Sequence, residues 1–405
     1  MARNIVVIGS GPAAVFAAME AKRRDAAVAV TLVTDEACEP YEKPPLSKAV
    51  LLGKSQPEDA PIAGPGGLAR HGVEVRHNAR CTTIDRAARE IVTAQGRLSY
   101  DALVIATGST MRELPALPMS MSRVHYLRTD AHARALKAEL AAAKRVVVIG
   151  AGLIGLEVAA SARELGCDVA VIEFAPRIMA RACDPETGEL IAKEHAQRGV
   201  DIRLGTAVAR AAAQANGIVI ETNKGETLDA GLVVVGTGVK PDDALAGAAG
   251  LKVDDGIIVD AQCRTSDPAI FAAGDCTRFP GPAGLVRLEN WRHAQDHGAL
   301  AGRNAAGASD SYNTVPSYWT EQYDLYVQGV GWPEPAPDSL VRRPLAGKGT
   351  LLMEMKGGVI VHAIGINAQR DLAAVRRLIE RKVPVDAGAL ADPAQPFNAM
   401  LKAKT

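Results

Sequence analysis

The sequence is poor in several features that mark particular classes of protein. Aromatic residues make up only 4% of the 405 residues, which disfavours an aromatic-rich β-sandwich. Lysine plus arginine and aspartate plus glutamate each number 46, and this neutral total argues against a nucleic-acid-binding protein. No apolar run approaches the roughly 18 residues that a membrane span needs, and no charged and apolar leader precedes the first apolar segment. We therefore expect no nucleic-acid partner and no membrane association.

Cysteines are few and widely spaced. None of the six forms a C-x-x-C pair, and no histidine or cysteine cluster has the spacing of a metal site. This pattern is typical of structural thiols in a reducing cytoplasm, and it predicts neither a disulfide scaffold nor a bound metal. The cysteines are Cys38, Cys81, Cys167, Cys183, Cys263 and Cys276.

Two segments share one pattern, an apolar strand followed by a glycine-rich turn, a helix and a second strand. The two turns begin 141 residues apart, at Gly9 and Gly150. In such a turn the first glycine permits the bend, the second lets the backbone approach a pyrophosphate, and the helix N-terminus offers free N–H groups to the phosphates. Two copies in this context predict two nucleotide cofactors. The candidate cofactor-binding residues are Gly9, Gly11, Pro12, Ala13 and Ala14 in the first turn, and Gly150, Gly152, Leu153, Ile154 and Gly155 in the second.

Acidic residues follow the second strand of each unit. Glu173 lies 23 residues after Gly150, where a carboxylate would accept hydrogen bonds from a ribose 2′-OH and repel a 2′-phosphate. The second site is therefore predicted to prefer NAD to NADP. Asp35 and Glu36 occupy the corresponding position after the first turn. Either could bind the ribose of the first cofactor, or both could simply begin a loop.

Other segments predict further strands that end in turns of small residues. They are Tyr100–Gly108, Leu232–Gly238 and Ile270–Cys276. The region after about residue 310 has no glycine fingerprint. It is predicted to contain strands at Gly349–Met355 and Val359–Ile366 and a helix at about Asp371–Glu380, which together indicate an α+β domain.

Several motifs carry a resemblance to a known family. They include PYEKPPLSK at 40–48, ATG at 106–108, GLIGLE at 152–157, AAGDC at 272–276 and SYWTEQYD at 317–324. With these residues the chain resembles the two-dinucleotide flavoproteins shaped like glutathione reductase, and within them the ferredoxin reductases of Rieske dioxygenase and bacterial P450 systems.

The resemblance implies an α/β fold with two Rossmann-like dinucleotide-binding domains and a C-terminal α+β domain. It implies a discontinuous layout, in which 1–110 and 230–310 form an FAD-binding domain, 111–229 form an NAD-binding domain, and 311–405 form the C-terminal interface domain.

The activity that the resemblance implies is that of a ferredoxin–NAD(+) reductase. NADH would pass hydride to FAD, and single electrons would then reach a [2Fe–2S] ferredoxin that feeds a Rieske oxygenase or a cytochrome P450. Segment 39–48, where the glutathione reductase branch carries its redox cysteines, has no cysteine pair. Dithiol chemistry is therefore excluded, and electrons must leave the flavin directly.

The resemblance also assigns site residues by position. Lys48 and Glu157 would form an ion pair near the reactive flavin nitrogen, and Trp319 would cover the flavin ring; these are the candidate catalytic residues. Tyr318 departs from the family's usual aromatic pair beside Trp319. The remaining FAD candidates are Lys43, Cys81, Ala106, Thr107, Gly108, Arg128, Asp275, Glu289 and Trp291, with Asp35, Glu36, Lys48 and Trp319. The remaining NAD candidates are Glu157, Glu173, Arg181, Gly236, Thr237 and Gly238.

Ferredoxins of this class are usually acidic, so basic residues are expected to steer the partner by electrostatic attraction. The candidates are Lys43, Arg292 and Arg370.

Three alternatives remain open from the residues alone. The acceptor could be a small molecule such as oxygen, peroxide or monodehydroascorbate, or it could be rubredoxin. A peroxide-reducing enzyme would need a cysteine facing the flavin, and Cys38 precedes the flavin-facing segment. A flavoprotein resembling apoptosis-inducing factor, with no enzymatic role, would need a basic surface and long C-terminal insertions, and the sequence contains neither.

Overall fold

The chain divides into two compact units, each assembled from separate stretches of sequence. The computed structural model describes residues 3–402. The first unit contains the chain up to Pro45 together with Ser55–Arg112 and Val239–Thr314. The second contains Leu46–Lys54, Glu113–Gly238 and the chain from Val315 onward.

A parallel five-stranded sheet lies at the centre of the first unit. Its middle strand, Asn4–Ile8, is apolar and buried, and it pairs in parallel on both sides. Parallel strands place their carboxyl ends at one edge of the sheet, and ligands of such sheets bind at that edge. The turns that follow Ile8, Ile105 and Ala272 therefore share one edge. In sheet order the strands are Ile270–Ala272, Ala102–Ile105, Asn4–Ile8, Ala29–Val33 and Glu74–Arg76.

Two helices of the first unit, Pro12–Arg24 and Trp291–Ala305, pack with their backbones in close approach. A Cβ atom added at Gly298 would lie 2.2 Å from the carbonyl oxygen of Ala13. One added at Gly302 would lie 2.0 Å from the carbonyl oxygen of Ala17. Only glycine permits this spacing, so these two positions bring the second helix against the helix that begins at the first glycine turn.

Smaller elements complete the first unit. An antiparallel sheet contains Cys81–Asp85, Glu90–Thr93 and Gly96–Ser99; Ser109–Met111 pairs with Val239–Pro241; and a third small sheet contains Ile257–Ile258, Thr277–Gly281 and Gly284–Val286. Ala244–Ala248 is a short helix, and Pro57–Asp59 and Leu68–His71 are 3-10 turns.

The second unit contains a parallel sheet of its own, again with five strands. Leu232–Val235 pairs with Arg145–Ile149 on one side and Val124–Tyr126 on the other. This pairing places the strand in the second unit, which extends to Gly238. The predicted division into domains, with a boundary at residue 230, stays a prediction. In sheet order the strands are Val200–Arg203, Asp168–Ile172, Arg145–Ile149, Leu232–Val235 and Val124–Tyr126; the helices are Asp130–Leu140, Leu153–Glu164 and Pro185–Gln197; and Val208–Gln214, Gly217–Thr222 and Thr227–Ala230 form an antiparallel sheet.

The C-terminal part of the second unit is an antiparallel five-stranded sheet covered by helices. The predicted pair of strands and the predicted helix are confirmed, although the helix begins at Gln369. Val327 and Ile364 of this sheet share one hydrophobic core with Val148 and Leu156 of the parallel sheet and its helix, which explains why the region is continuous with the second unit. In sheet order the strands are Ser317–Gln322, Leu325–Gly331, Val359–Ile366, Thr350–Lys356 and Ser339–Pro344; the helices are Gln369–Glu380, Ala387–Ala391 and Phe397–Met400.

The close helix approach predicts that Gly298→Ala lowers the stability of the protein. The added methyl group would overlap backbone atoms of Ala13, and we expect the free energy of unfolding to fall by about 1–3 kcal/mol. Gly247→Ala is the matched control, since its Cβ atom would meet only a side-chain carbon of Val253 at 3.5 Å. The control should change stability by less than about 1 kcal/mol, in the favourable direction. Urea unfolding measures both, and equal midpoints for the two variants would contradict the prediction.

Candidate functional site

The first glycine turn combines a crowded glycine with an open one. Gly9 has a φ of +124°, and a Cβ atom there would lie 2.2 Å from the carbonyl oxygen of Ala106. At Gly11 an added Cβ atom would meet nothing within 4 Å. The helix that starts at Pro12 has no side-chain N-cap, so the N–H groups of its first turn are available to a ligand. An open backbone beside an uncapped helix N-terminus fits a pyrophosphate group.

The second glycine turn repeats this geometry in the second unit. Cβ atoms at Gly150 and Gly155 would lie 2.5 Å from the carbonyl oxygen of Gly236 and 2.0 Å from that of Gly150. At Gly152 the space is again open, and the helix beginning at Leu153 has no side-chain N-cap. This turn also fits a pyrophosphate, so each unit contains one candidate dinucleotide site.

Glu36 and Asp35 lie in different environments, although the sequence left the choice between them open. Glu36 accepts hydrogen bonds from Ser10 Oγ at 2.9 Å, Tyr41 Oη at 2.6 Å and Lys43 Nζ at 2.9 Å. Burial alone would raise the pKa of Glu36, but the Lys43 charge and these hydrogen bonds hold it below its ordinary value. Asp35 is 60% exposed, with Arg80 3.9 Å away. Glu36 is therefore the carboxylate tied to the first glycine turn.

Glu173 holds the corresponding position at the second turn. Its carboxylate accepts hydrogen bonds from the backbone N–H groups of Ala151, at 2.6 Å, and Ala175, at 2.7 Å. Arg181 is exposed and lies beside Gly238, where an added Cβ atom would be 3.3 Å from the guanidinium. Glu173 is the residue predicted to bind the ribose, and Arg181 is the residue predicted to contact the cofactor. Both lie in the same unit as the second glycine turn.

Lys48 and Glu157 form a buried ion pair. Lys48 Nζ lies 3.0 Å from Glu157 Oε2, and the two side chains are 18% and 3% exposed. The Ser47 hydroxyl donates to the same carboxylate oxygen, and the Thr320 hydroxyl donates to the other at 2.7 Å. Removing one partner of such a buried pair costs about 3–5 kcal/mol. The predicted pairing of Lys48 with Glu157 is therefore present, but with two additional donors.

Successive residues of the strand Ser317–Gln322 point to opposite faces of its sheet. Thr320 contacts Glu157, while the Tyr318 hydroxyl donates to the carbonyl oxygen of Ala182. Trp319 is half-buried and points to the opposite face of the sheet, because successive strand residues alternate. Tyr318, where the sequence departs from the family pattern, anchors the loop that carries Arg181. A Cβ atom at Gly329 would lie 2.1 Å from the Tyr318 ring, so a glycine opposite it is required.

The other predicted residues of the first unit lie mostly near the edge of its sheet. Asp275 accepts a hydrogen bond from Ser109 Oγ at 3.2 Å, and Thr107 Oγ1 donates to the carbonyl oxygen of Asp242 at 2.6 Å. Trp291 Nε1 donates to Glu42 at 2.5 Å. Burial raises the pKa of Glu42, although this hydrogen bond opposes the effect. Ala106 and Gly108 flank Thr107 after the strand Ala102–Ile105; Glu289 pairs with Arg287; Cys81 begins a strand of the small antiparallel sheet; and Arg128 and Thr237 lie in loops of the second unit.

Ser47 and Thr320 are site residues that sequence reasoning missed. Both lie inside motifs that carried the resemblance, at 40–48 and 317–324. A hydroxyl has no distinctive spacing, however, so no local pattern marked these two against their neighbours.

The described part of the chain contains neither a metal-binding cluster nor a helix that could span a membrane. Among residues 3–402, no group of three or more histidine, cysteine or acidic side chains could hold a metal ion. No described helix is long and apolar enough to cross a membrane.

Known proteins resemble this chain in sequence and in fold. Residues 3–298 match the family described as pyridine nucleotide-disulphide oxidoreductase, and residues 317–401 match a reductase C-terminal domain. The ferredoxin–NAD(+) reductase component of the anthranilate 1,2-dioxygenase system of Burkholderia cepacia is 40% identical, with 96% of this chain and 97% of that protein covered. The chain belongs to the pyridine nucleotide-disulphide oxidoreductase family.

Other relatives in the family cover the whole length of the chain. Putidaredoxin reductase of Pseudomonas putida is 32% identical, over 99% of this chain and 97% of that protein. The structure of a covalent putidaredoxin reductase–putidaredoxin complex contains a chain that matches with a TM-score of 0.92, at 30% identity and 99% coverage of both chains. A ferredoxin reductase from Rhodopseudomonas palustris matches with a TM-score of 0.93, at 32% identity and coverage of 98% and 99%.

The cysteines of this member of the pyridine nucleotide-disulphide oxidoreductases form no disulfide bond among the described residues, which include all six. Burial raises the pKa of Cys81 and Cys276 to about 11 and that of Cys183 to about 12. At neutral pH these groups are thiols rather than thiolates, and a thiol is a poor nucleophile. The disulphide chemistry in the family's name therefore has no visible counterpart among these three groups.

Cys81 provides a test of this environment, because it is only partly buried. With a pKa of about 11, it should react with iodoacetamide about 100-fold more slowly than N-acetylcysteine at neutral pH. The rate should rise about tenfold per pH unit as the pH increases towards about 10. Peptide mass spectrometry of the alkylated protein locates the label. Reaction of Cys81 at the rate of the free thiol near neutral pH would show that burial does not protect it.

Proposed function

We propose that this chain takes hydride from NADH and passes the electrons singly to a [2Fe–2S] ferredoxin, with FAD between donor and acceptor. The ferredoxin would feed a Rieske oxygenase or a cytochrome P450. The buried Lys48–Glu157 pair is the observation that carries the proposal. Glu157 lies about one turn into the helix that starts at the second glycine turn. The names of the relatives support the same activity.

Each residue of the pair has a distinct role in the proposal. Flavin supplies the conversion from two-electron to one-electron transfer, since it can accept a hydride and release its electrons one at a time. The Lys48 ammonium stabilises the negative charge that accumulates when two electrons arrive. Glu157 holds the ammonium in place and orients the nicotinamide. Trp319, on the other face of the strand from Thr320, would cover the flavin ring.

The remaining candidates bind the two nucleotides. In the first unit the turn beginning at Gly9 holds the FAD pyrophosphate and Glu36 its ribose, with Asp275 nearby. In the second unit the turn beginning at Gly150 holds the NAD pyrophosphate, and Glu173 accepts hydrogen bonds from its ribose. The cytoplasmic location stays a prediction from the sequence.

Glu173 predicts the choice of nicotinamide cofactor. NADH should exceed NADPH in kcat/KM by the equivalent of about 1–3 kcal/mol, because the carboxylate would face the 2′-phosphate of NADPH. Glu173→Gln keeps a hydrogen-bond acceptor but removes the charge, so it should narrow the gap mainly by improving NADPH. Glu189→Gln, at an exposed position of the same unit, changes the net charge equally and should leave the ratio unaltered. Equal use of both cofactors by the unmodified protein would refute the assignment.

Ferredoxin reduction tests the acceptor. The protein with FAD and NADH should reduce an acidic [2Fe–2S] ferredoxin, and the rate should fall as ionic strength rises, because screening weakens electrostatic steering. Among the three predicted steering residues, Lys43 pairs with Glu36 and Arg292 with Asp296, whereas Arg370 is exposed. Arg370→Glu should therefore slow ferredoxin reduction most, and more at low salt than at high salt.

The controls separate docking from flavin chemistry. Arg24→Glu makes the same charge change at an exposed position of the first unit and should have little effect on ferredoxin reduction. Flavin bleaching by NADH should be unchanged in both variants. Rapid NADH-dependent consumption of oxygen or peroxide, with no reduction of any ferredoxin in a panel, would favour a small-acceptor enzyme instead.

A further inference from the structure

A chain of buried hydrogen bonds leads away from the Lys48–Glu157 pair. Thr320 Oγ1 lies 2.7 Å from Glu157 Oε1, and Gln322 Nε2 lies 3.1 Å from Thr320 Oγ1. His195 Nε2 lies 2.8 Å from Gln322 Oε1. Thr320 and His195 are 0% exposed, and Gln322 is 2% exposed. The chain joins the helix Pro185–Gln197 to the ion pair through one strand of the C-terminal sheet.

The direction of every hydrogen bond in this hydrogen-bond chain follows from its first member, Glu157. A carboxylate paired with an ammonium only accepts, so the single proton of the Thr320 hydroxyl is directed to Glu157. The hydroxyl oxygen must then accept from Gln322, which requires the amide nitrogen to face Thr320. The amide oxygen consequently faces His195 and accepts a proton from Nε2. The geometry thus determines both the amide orientation and the imidazole tautomer.

The surroundings of His195 agree with a neutral ring protonated on Nε2. Its Nδ1 atom is buried with no hydrogen-bond partner among the described residues. A neutral ring leaves an acceptor unpaired there, whereas a protonated ring would bury an unpaired donor and a charge. Burial lowers the pKa of His195. The charged groups that act on the ring are Glu194 and Arg198, and the Tyr323 ring packs against it at 5.0 Å.

The other carboxylate oxygen of Glu157 is held from a separate segment. Ser47 and Lys48 both donate to Oε2, and Ser161 Oγ donates to the carbonyl oxygen of Ser47 at 2.8 Å. Both carboxylate oxygens therefore have fixed donors. Loss of the donor on Oε1 would free the carboxylate to rotate, and Lys48 would move with it.

We propose that Gln322 and His195 are positioning residues for the Lys48–Glu157 pair. The imidazole orients the amide, the amide orients the Thr320 hydroxyl, and the hydroxyl locks the carboxylate that aims Lys48. The role of the pair itself rests on the function proposed above. The test must therefore distinguish a hydrogen-bond chain that does not position the pair from a pair that has no role in flavin reduction. A purely structural role for His195, as a core side chain packed on Tyr323, would affect stability alone.

The first measurement uses the unmodified holoenzyme. Histidine labelled with ¹⁵N reports the tautomer of each ring, and His195→Phe assigns the signal. We expect His195 to remain neutral with its proton on Nε2 throughout the pH range in which the enzyme is folded. A protonated ring, or a proton on Nδ1, would overturn the proposal whatever the activity of the variants.

The second measurement is the rate of flavin bleaching by saturating NADH in a stopped-flow instrument. Thr320→Val removes the donor at nearly constant volume and should slow bleaching by about 10- to 100-fold, since small displacements of reacting groups have effects of this size. Thr320→Ser should restore the rate to within about threefold of the unmodified enzyme. Gln322→Glu presents acceptors on both sides and competes with Glu157 for the Thr320 proton, so it should slow bleaching as Thr320→Val does.

The controls separate the outcomes. His362→Gln alters another buried histidine of the same unit, paired with Glu354, and should leave bleaching unchanged. FAD content and the flavin absorbance spectrum verify that each variant is loaded. If Glu157→Gln slows bleaching but Thr320→Val and Gln322→Glu do not, the hydrogen-bond chain has no positioning role. If Glu157→Gln itself bleaches at the normal rate, the proposed role of the ion pair is wrong. The tautomer of His195 then still decides whether the hydrogen-bond chain is formed.

Discussion

The arrangement of the second unit depends on the burial of one carboxylate. Glu157 is 3% exposed, and a buried charge is stable only with a partner charge and further hydrogen bonds. Its donors come from two distant stretches, residues 47–48 and Thr320. This requirement explains why Leu46–Lys54 leaves the chain's first unit and belongs to the second. It also places the C-terminal strand Ser317–Gln322 against the helix Leu153–Glu164.

The glycine turns were predictable from sequence because the constraint that they satisfy is local. At Gly9, Gly150 and Gly155 any side chain would overlap a carbonyl oxygen, and the pattern of glycines records that overlap directly. The same is true of the strands and helices that flank the turns, because the apolar pattern that marks them is also local. The acidic residue that follows the second strand of each unit lies near the glycine turn because the intervening helix has a regular length.

The donors around Glu157 were not predictable in the same way. Ser47, Thr320, Gln322 and His195 are separated by up to 275 residues, and nothing in the local spacing of a serine or a glutamine indicates which buried group it serves. The boundary at Gly238 has a similar cause, since Leu232–Val235 is an ordinary apolar strand whose partner depends on sheet order. The family resemblance supplied Lys48 and Glu157, but not the shell that holds them.

The cysteines and the ion pair bear on one problem, the route by which electrons leave. A dithiol exchanges electrons in pairs and needs an attacking thiolate, yet burial keeps Cys81, Cys183 and Cys276 protonated at neutral pH. A cofactor that must instead release single electrons directly has to retain charge between the two releases. A fixed ammonium stabilises that charge only if it cannot swing away, and a lysine has four flexible carbon–carbon torsions to restrain. The carboxylate that fixes it must therefore be immobile itself, which is the property that donors on both oxygens of Glu157 provide.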